Sequence, residues 1–231
     1  MFEKIITAGQ LPEVTSRIFY ELQEISGDAC ASWHATGSEL AVRGLMWVVV
    51  RYEVKLMRAM IPGEQIRLTT WASPVRHRMS QRNYLAYDKD GELLLNAAGI
   101  WTVVDRKTRS MVNPDEYDIE FGCEVTGLEL PRPGSPVKIP QDKELKYSVD
   151  KSVLDINCHM NNIRYFDLVQ SCIGSENDGM QPSQIQAVFM NEALLGEQMT
   201  IRWGKRENYW FFTGQKSDVE CFHIGIQYVL S

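Results

Sequence analysis

Between Lys151 and Phe166 the chain reads Lys-Ser-Val-Leu-Asp-Ile-Asn-Cys-His-Met-Asn-Asn-Ile-Arg-Tyr-Phe. Asp155, Asn157 and His159 stand at i, i+2 and i+4, and on an extended segment three such side chains share one face. A carboxylate, an amide and an imidazole gathered on one small substrate group can orient and deprotonate a water. The run then enters a helix near Asn161 and Asn162, and the unpaired N–H groups and positive dipole end of a helix N-terminus polarise a carbonyl oxygen. These are the parts that acyl transfer to water requires. Asp and Asn are also ordinary turn and cap residues, and spacing by itself leaves both readings open.

The elements that would position this run repeat along the chain. From Pro12, the apolar positions Val14, Ile18, Phe19, Leu22, Ile25 and Ala29 recur at three- and four-residue steps, which predicts one buried helical face. After a loop at 35–38, Met46, Val48, Val50, Tyr52, Val54 and Leu56 alternate with Trp47, Val49, Arg51, Glu53 and Lys55, the period of a strand. Further strands are expected at 64–73, 78–88 and 92–105, the last two joined by Asp88-Lys89-Asp90-Gly91, a hairpin turn. Prolines 114, 131, 133, 136 and 140 with Gly134 and Ser135 then exclude a central strand or helix interior. Beyond them come a short strand at 145–149, a helix from Asn161/Asn162 with Ile163, Phe166, Val169 and Ile173 on one face, and strands at 185–195, 197–204, 207–214 and 219–230.

Both halves thus read helix first and antiparallel strands after, and short matches recur in order. Gly63-Glu64-Gln65-Ile66 returns as Gly196-Glu197-Gln198-Met199, Asn83-Tyr84 as Asn208-Tyr209, and Gly99-Ile100 as Gly225-Ile226. The pattern predicts an α+β chain of two tandem modules, each an antiparallel sheet wrapped around a central helix, the double hot-dog arrangement. The expected boundaries are an N-terminal module at 1–131, a Pro-rich linker at 132–142, and a C-terminal module at 143–231 carrying the polar run.

Composition narrows the function classes. A net charge of −6 and a pI of about 5.3 argue against a nucleic-acid binder or an anionic-membrane binder held by a global positive field. The five cysteines, at 30, 123, 158, 172 and 221, form no Cys-x-x-Cys pair, so neither a disulfide framework nor a zinc knuckle is indicated. Nothing points to a metal or organic cofactor. No apolar run approaches the roughly 20 residues of a membrane span, and the opening Met-Phe-Glu-Lys has no signal-peptide character. The expectation is a soluble cytoplasmic protein.

The run Asp155-Ile156-Asn157-Cys158-His159-Met160-Asn161-Asn162-Ile163-Arg164-Tyr165 resembles the D-x-N-x-H-x-N-N-x-x-Y signature of the acyl-acyl carrier protein (acyl-ACP) thioesterases of plant plastids and bacteria. The resemblance extends to Trp47-Val48-Val49, Gly63-Glu64, Trp71, and Trp101 followed by Asp105-Arg106-Lys107-Thr108-Arg109, and covers essentially residues 1–230. It implies a double hot-dog fold and hydrolysis of a fatty acyl thioester to free fatty acid and holo-carrier protein, within fatty acid biosynthesis. In this family a Glu followed by Cys, on a strand after the helix, completes the site. The matching position here is Glu192-Ala193, so a Cys–His nucleophile of the papain kind is not available there, and direct attack by water remains. Cys158, on the opposite face of an extended segment, is expected to be structural.

The roles that follow assign Glu192 and His159 to the water, Asn157 with helix N–H groups to the thioester oxyanion, and Asp155 to positioning the Asn/His pair. The roles of Asp155 and Glu192 are interchangeable at this level. Asn161 and Asn162 complete the polar end of the substrate site. By analogy, Ile18, Phe19 and Leu22 of the first helix and Trp47 are candidate walls for the acyl chain. An acidic carrier protein needs a basic docking surface on an acidic enzyme; Arg76, Arg78 and Arg82, with His77, form one candidate and Arg106, Lys107 and Arg109 another. Two alternatives stay open, a hot-dog thioesterase acting on acyl-coenzyme A and a non-catalytic acyl-binding module. Oligomeric state is not legible.

Overall fold

The computed structural model describes residues 1–8, 14–119, 128–177 and 179–230. Pro12 and Cys123 lie outside them. The chain divides into two compact units, one formed by Met1–Gln10 with Tyr20–Pro133, the other by Leu11–Phe19 with Gly134–Ser231. No helix is long and apolar enough to cross a membrane among the described residues.

In the first unit, β1 (Phe2–Thr7), β2 (Leu45–Leu56), β3 (Gln65–Ala72), β4 (Met79–Tyr87) and β5 (Leu93–Asp105) form an antiparallel sheet in the order β1-β3-β4-β5-β2. The helix α1 (Val14–Ala31), whose residues from Tyr20 onward belong to this unit, buries Leu22, Ile25 and Ala29 of the stripe that the periodicity predicts, while Tyr20 faces solvent. Ser26 shares that face without a polar penalty, because its hydroxyl donates to the Leu22 carbonyl at 2.6 Å and meets the Tyr84 hydroxyl of β4 at 2.8 Å. Two elements escape the sequence reading. β1 is half exposed and alternates too weakly to stand out. The one-and-a-half-turn α2 (Gly37–Val42) occupies the expected loop, and its Thr36 and Glu39 close a capping box that is spelled out in the sequence as Thr-x-x-Glu.

The second unit repeats this order. Strands β6 (Lys143–Ser148), β7 (Met180–Phe189), β8 (Gln198–Arg206), β9 (Tyr209–Lys216) and β10 (Val219–Leu230) pair antiparallel as β6-β8-β9-β10-β7, with α3 (Asn162–Ile173) between β6 and β7. Substituting β1, β3, β4, β5 and β2 for these strands gives the topology of the first unit. Buried Ile163, Tyr165, Phe166, Val169 and Ile173 of α3 face Ile185, Ala187, Phe212, Phe222 and Ile224 of the core; Phe166 stacks on Phe19 at 3.8 Å and meets Phe189 edge-on. β7 begins earlier than expected and ends at Phe189, not near 195. Pro182 hides its start, and is accommodated at the register shift opposite Gln227/Tyr228.

The Gly-Glu repeat marks one turn built twice. Gly63 and Gly196 both take positive φ, 86° and 80°, which glycine adopts at no steric cost. The Glu64 carboxylate accepts the Ile61 N–H at 2.7 Å and pairs with Arg58, while Glu197 accepts the Leu194 N–H at 2.8 Å and pairs with Lys216. Each turn is laced to its edge-strand end in the same way, Gly63 to Ala8 and Gly196 to Val149, with both bonds within 2.8–3.0 Å. The Asn-Tyr match is coincidental: Asn83 sits mid-strand opposite Trp71, whereas Asn208 precedes β9.

Residues 136–142 run across the face of the second sheet turned away from α3. Tyr209 donates to the Val137 carbonyl at 2.9 Å, Gln141 bridges the Arg202 carbonyl and the Thr213 hydroxyl at 2.9 and 3.1 Å, and Asp142 N–H reaches the Trp203 carbonyl at 3.2 Å. Gly204, Phe211 and Gly225 form one cross-strand row beneath this strap. A Cβ on Gly204 would strike the Pro140 carbonyl, and one on Gly225 would lie 2.9 Å from Pro136 Cβ. Because the obstacle at Gly204 is backbone, Gly204→Ala is expected to cost about 1–3 kcal/mol. Gly27→Ala, in an exposed part of α1 with nothing within 4 Å, is expected to add about 0.5–1 kcal/mol; urea midpoints of the two variants check both signs.

Candidate active site

The polar run is a hairpin loop, not the extended strand expected. Leu154 and Met160 pair across its base, the Asp155 N–H donates to the His159 carbonyl at 2.8 Å, and the Cys158 N–H donates to the Asp155 carbonyl at 3.1 Å. The cause is local. Asp155 Oδ1 accepts the N–H groups of Asn157 at 2.8 Å and His159 at 3.2 Å, and its Oδ2 takes the Asn157 side-chain amide at 3.4 Å. A carboxylate that satisfies its own downstream backbone outcompetes an extended ladder. Cys158 is turned into the left-handed region, φ 62°, and is exposed.

This folding separates the roles of the two carboxylates. Asp155 is consumed in shaping the loop and holding Asn157. Glu192 is the carboxylate that reaches the imidazole, its Oε2 meeting His159 Nε2. It does so from the connection after β7 rather than from a strand, and its side chain is 32 % exposed against 11 % for His159. Two backbone contacts bring the segments together: His159 bridges Leu194, and the Met160 N–H donates to the Ala193 carbonyl at 2.8 Å. The connection is fixed at both ends. The Met190 N–H reaches the Cys221 carbonyl at 2.9 Å and Asn191 Nδ2 the Glu220 carbonyl at 2.7 Å, and Glu197 holds Leu194 and Lys216. Against the upward push of burial, Lys216 and the Leu194 N–H keep the Glu197 carboxyl below its ordinary value.

The helix N-terminus offers fewer donors than expected. Asn161 is the N-cap of α3, its side-chain oxygen accepting the Ile163 N–H at 3.0 Å and its backbone carbonyl the Arg164 N–H at 2.8 Å. The Asn162 N–H is the first-turn amide left without a partner among the described residues. Two residues in or beside the motif carry more than their spacing implied. Tyr165 is 1 % exposed and packs on Phe189 and Phe222, and Ala193, within the connection that bears Glu192, is fully buried.

The remaining expected substrate contacts do not join this cluster. Ile18, Phe19 and Leu22 are core residues, each no more than 3 % exposed. Trp47 donates to the Ala35 carbonyl at 2.7 Å and packs on Leu40, Leu45, Ala72, Val103 and Ile119 of the first unit. Arg82 is 6 % exposed and cannot belong to a docking surface as expected, since β4 is buried along both faces of its middle. Its guanidinium lies 3.9 Å from the Cys30 sulfur. Arg76 and Arg78 are exposed on the hairpin between β3 and β4; Arg76 pairs with Glu129 at 3.8 Å and Arg78 donates to the Met111 carbonyl at 3.2 Å.

Comparison with known proteins gives this geometry a lineage. Residues 14–119 match the acyl-ACP thioesterase N-terminal domain and residues 137–224 the acyl-ACP thioesterase C-terminal domain. The chloroplastic palmitoyl-acyl carrier protein thioesterase of Cuphea hookeriana is 28% identical over 136 residues, 55% of this chain and 33% of that protein. The chain therefore spans about a third of the length of the curated relatives it matches. Among solved structures, the 12:0-ACP thioesterase from Umbellularia californica superposes with a TM-score of 0.83 at 17% identity, covering 100% of this chain and 97% of that one. An acyl-ACP thioesterase from Bacteroides thetaiotaomicron superposes with a TM-score of 0.80 at 17% identity over 98% and 97%. The chain thus has the double hot-dog fold and belongs to the acyl-ACP thioesterase family.

Proposed function

We propose that the chain hydrolyses the thioester of a fatty acyl group carried on acyl carrier protein, giving free fatty acid and holo-carrier protein. The observation that carries this reading is the Glu192–His159 pair, with His159 on a loop whose Asp155 also holds the Asn157 amide. Glu192 takes a proton from water as the water oxygen bonds to the thioester carbonyl carbon. The carbonyl becomes an oxyanion, for which the second hydrogen of the Asn157 amide and the Asn162 N–H are the donors. As the oxyanion collapses the C–S bond breaks, and the proton held between Glu192 and His159 passes to the departing sulfur.

Ile18, Phe19 and Leu22 are core residues of α1 and serve as the scaffold behind the acyl chain. The unpaired thiols of Cys30, Cys158, Cys172 and Cys221 support a reducing, cytoplasmic setting and work within fatty acid biosynthesis. One observation favours the coenzyme A alternative: Arg82 is buried and Arg76 shares its charge with Glu129, so of the three arginines in the first basic cluster Arg78 is left to meet an acidic carrier.

Free-thiol release from matched acyl carrier protein and coenzyme A thioesters tests the reading. The carrier thioester is expected to be the faster substrate, and Glu192→Gln to lower kcat by about 10²–10⁴. Coenzyme A preference would transfer the site to the alternative substrate, and no turnover on either would refute hydrolysis. Asp155→Ala frees the loop rather than removing a reacting group, so a kcat loss of about 10² from misplacement is expected. That loss should come with a lower thermal midpoint, a drop Glu192→Gln does not share.

A further inference from the structure

Glu192 sits between two clamps. Downstream, the Ala193 carbonyl receives the Met160 N–H at 2.8 Å. Upstream, β7 ends with the Phe189–Phe222 pair, and the next two residues stay attached to β10. The Met190 N–H reaches the Cys221 carbonyl at 2.9 Å, the Asn191 N–H shares that carbonyl at 3.4 Å, and Asn191 Nδ2 donates to the Glu220 carbonyl at 2.7 Å. The upstream clamp thus contains one side-chain bond, made by the residue directly before the carboxylate that meets His159.

The acceptor of that bond is itself set by a break in the sheet. Successive carbonyls of a regular strand turn to opposite neighbours, yet those of Glu220 and Cys221 both receive donors from residues 190 and 191. The ladder between β9 and β10 gives the reason. Glu220 pairs with Gln215 and Phe222 with Gly214, so Cys221 is an extra residue on β10, and a bulge re-aims the groups around it. Burial of Cys221 and Phe222 fixes the bulge, and Gly214 makes room for it, since a Cβ there would strike the Phe222 ring.

Asparagine suits the position for its amide alone. Asn191 is exposed, so packing does not call for its shape, while an aliphatic side chain or a carboxylate has no N–H to give a carbonyl. Glu220 is exposed as well, so without the bond its carbonyl has water to turn to and the fold stands. What the bond controls is the direction in which the chain leaves β7. On the hydrolytic reading above, we infer that Asn191 is a positioning residue for the reaction: its side-chain amide, bonded to the bulged end of β10, sets the backbone that aims the Glu192 carboxylate at His159 Nε2.

The test is a double-mutant cycle of Asn191→Ala and Glu192→Gln. In the parent background, N191A is expected to lower kcat for the acyl carrier protein thioester about ten- to a hundredfold, with KM within about twofold. In the E192Q background the same change should lower kcat less than about twofold, because the carboxylate it aims is gone. N191D, of the same shape but with no N–H to donate, should reproduce the loss and serves in place of N191A should the latter not fold. Imidazole NMR gives a readout without turnover: the His159 ring signals in N191A should move from their wild-type positions toward those in E192Q. Wild-type kcat in a folded variant, equal fold-losses in the two backgrounds, or unmoved His159 signals would each overturn the inference and leave the hydrolytic reading intact. Should the parent protein hydrolyse no thioester, that reading fails on its own, and the His159 signals alone decide whether Asn191 aims Glu192.

Discussion

Everything the candidate site can do depends on a short backbone register between two segments more than 30 residues apart in sequence, the loop at 155–160 and the connection at 190–197. The Met160–Ala193 bond and the His159–Leu194 bridge fix it. Neither involves a side chain, so the site's geometry rests on backbone hydrogen bonds that leave the side chains at these positions unconstrained, proline at the Met160 donor excepted. Asp155 is the exception, a side chain spent on two backbone amides and the Asn157 side chain. The division of labour between the two carboxylates follows from this: one sits where amides converge on it, the other where an imidazole and solvent do.

The duplicated plan explains why the connection is so firmly held. In each unit the Gly-Glu turn ties a helix-side strand end to the start of the third strand, with a cation on the glutamate. The first unit uses this turn only to close its sheet. In the second, the residues just before it are Glu192, Ala193 and Leu194, so a structural device present in both copies becomes, in one, the anchor for the carboxylate that meets His159. The separate specialisation of two copies accounts for the polar run having no counterpart described in the first unit.

Much of this was legible in the sequence because it rests on periodicity. The stripe of α1, the strands β2 to β5, and the Asp-Gly hairpin at 88–91, where Asp88 accepts the N–H groups of Asp90 and Glu92, all follow from spacing and turn chemistry. The failures have definite causes. Reading Asp155, Asn157 and His159 as a strand ignored the appetite of Asp for its own downstream amides. The apolar run at 187–195 looked like strand to its end, although Leu194 and Leu195 are exposed on a turn. Arg82 looked like surface because charge usually is, but β4 is a central strand and its middle has no exposed side. The Asn161 cap follows from its residue type, while the two first-turn amides it occupies, those of Ile163 and Arg164, depend on the folded geometry of the turn.

The strap at 136–142 changes where this protein can be cut. A fragment begun at Lys143, where the second sheet starts, would leave the Gly204–Phe211–Gly225 row bare and strip the partners from Tyr209 and Thr213. Its glycines, small so that a chain may lie on them, would become an apolar furrow open to solvent. The working edge of the second module therefore lies some nine residues ahead of its first strand, at Gly134, and the prolines that look like slack between modules are part of its wall.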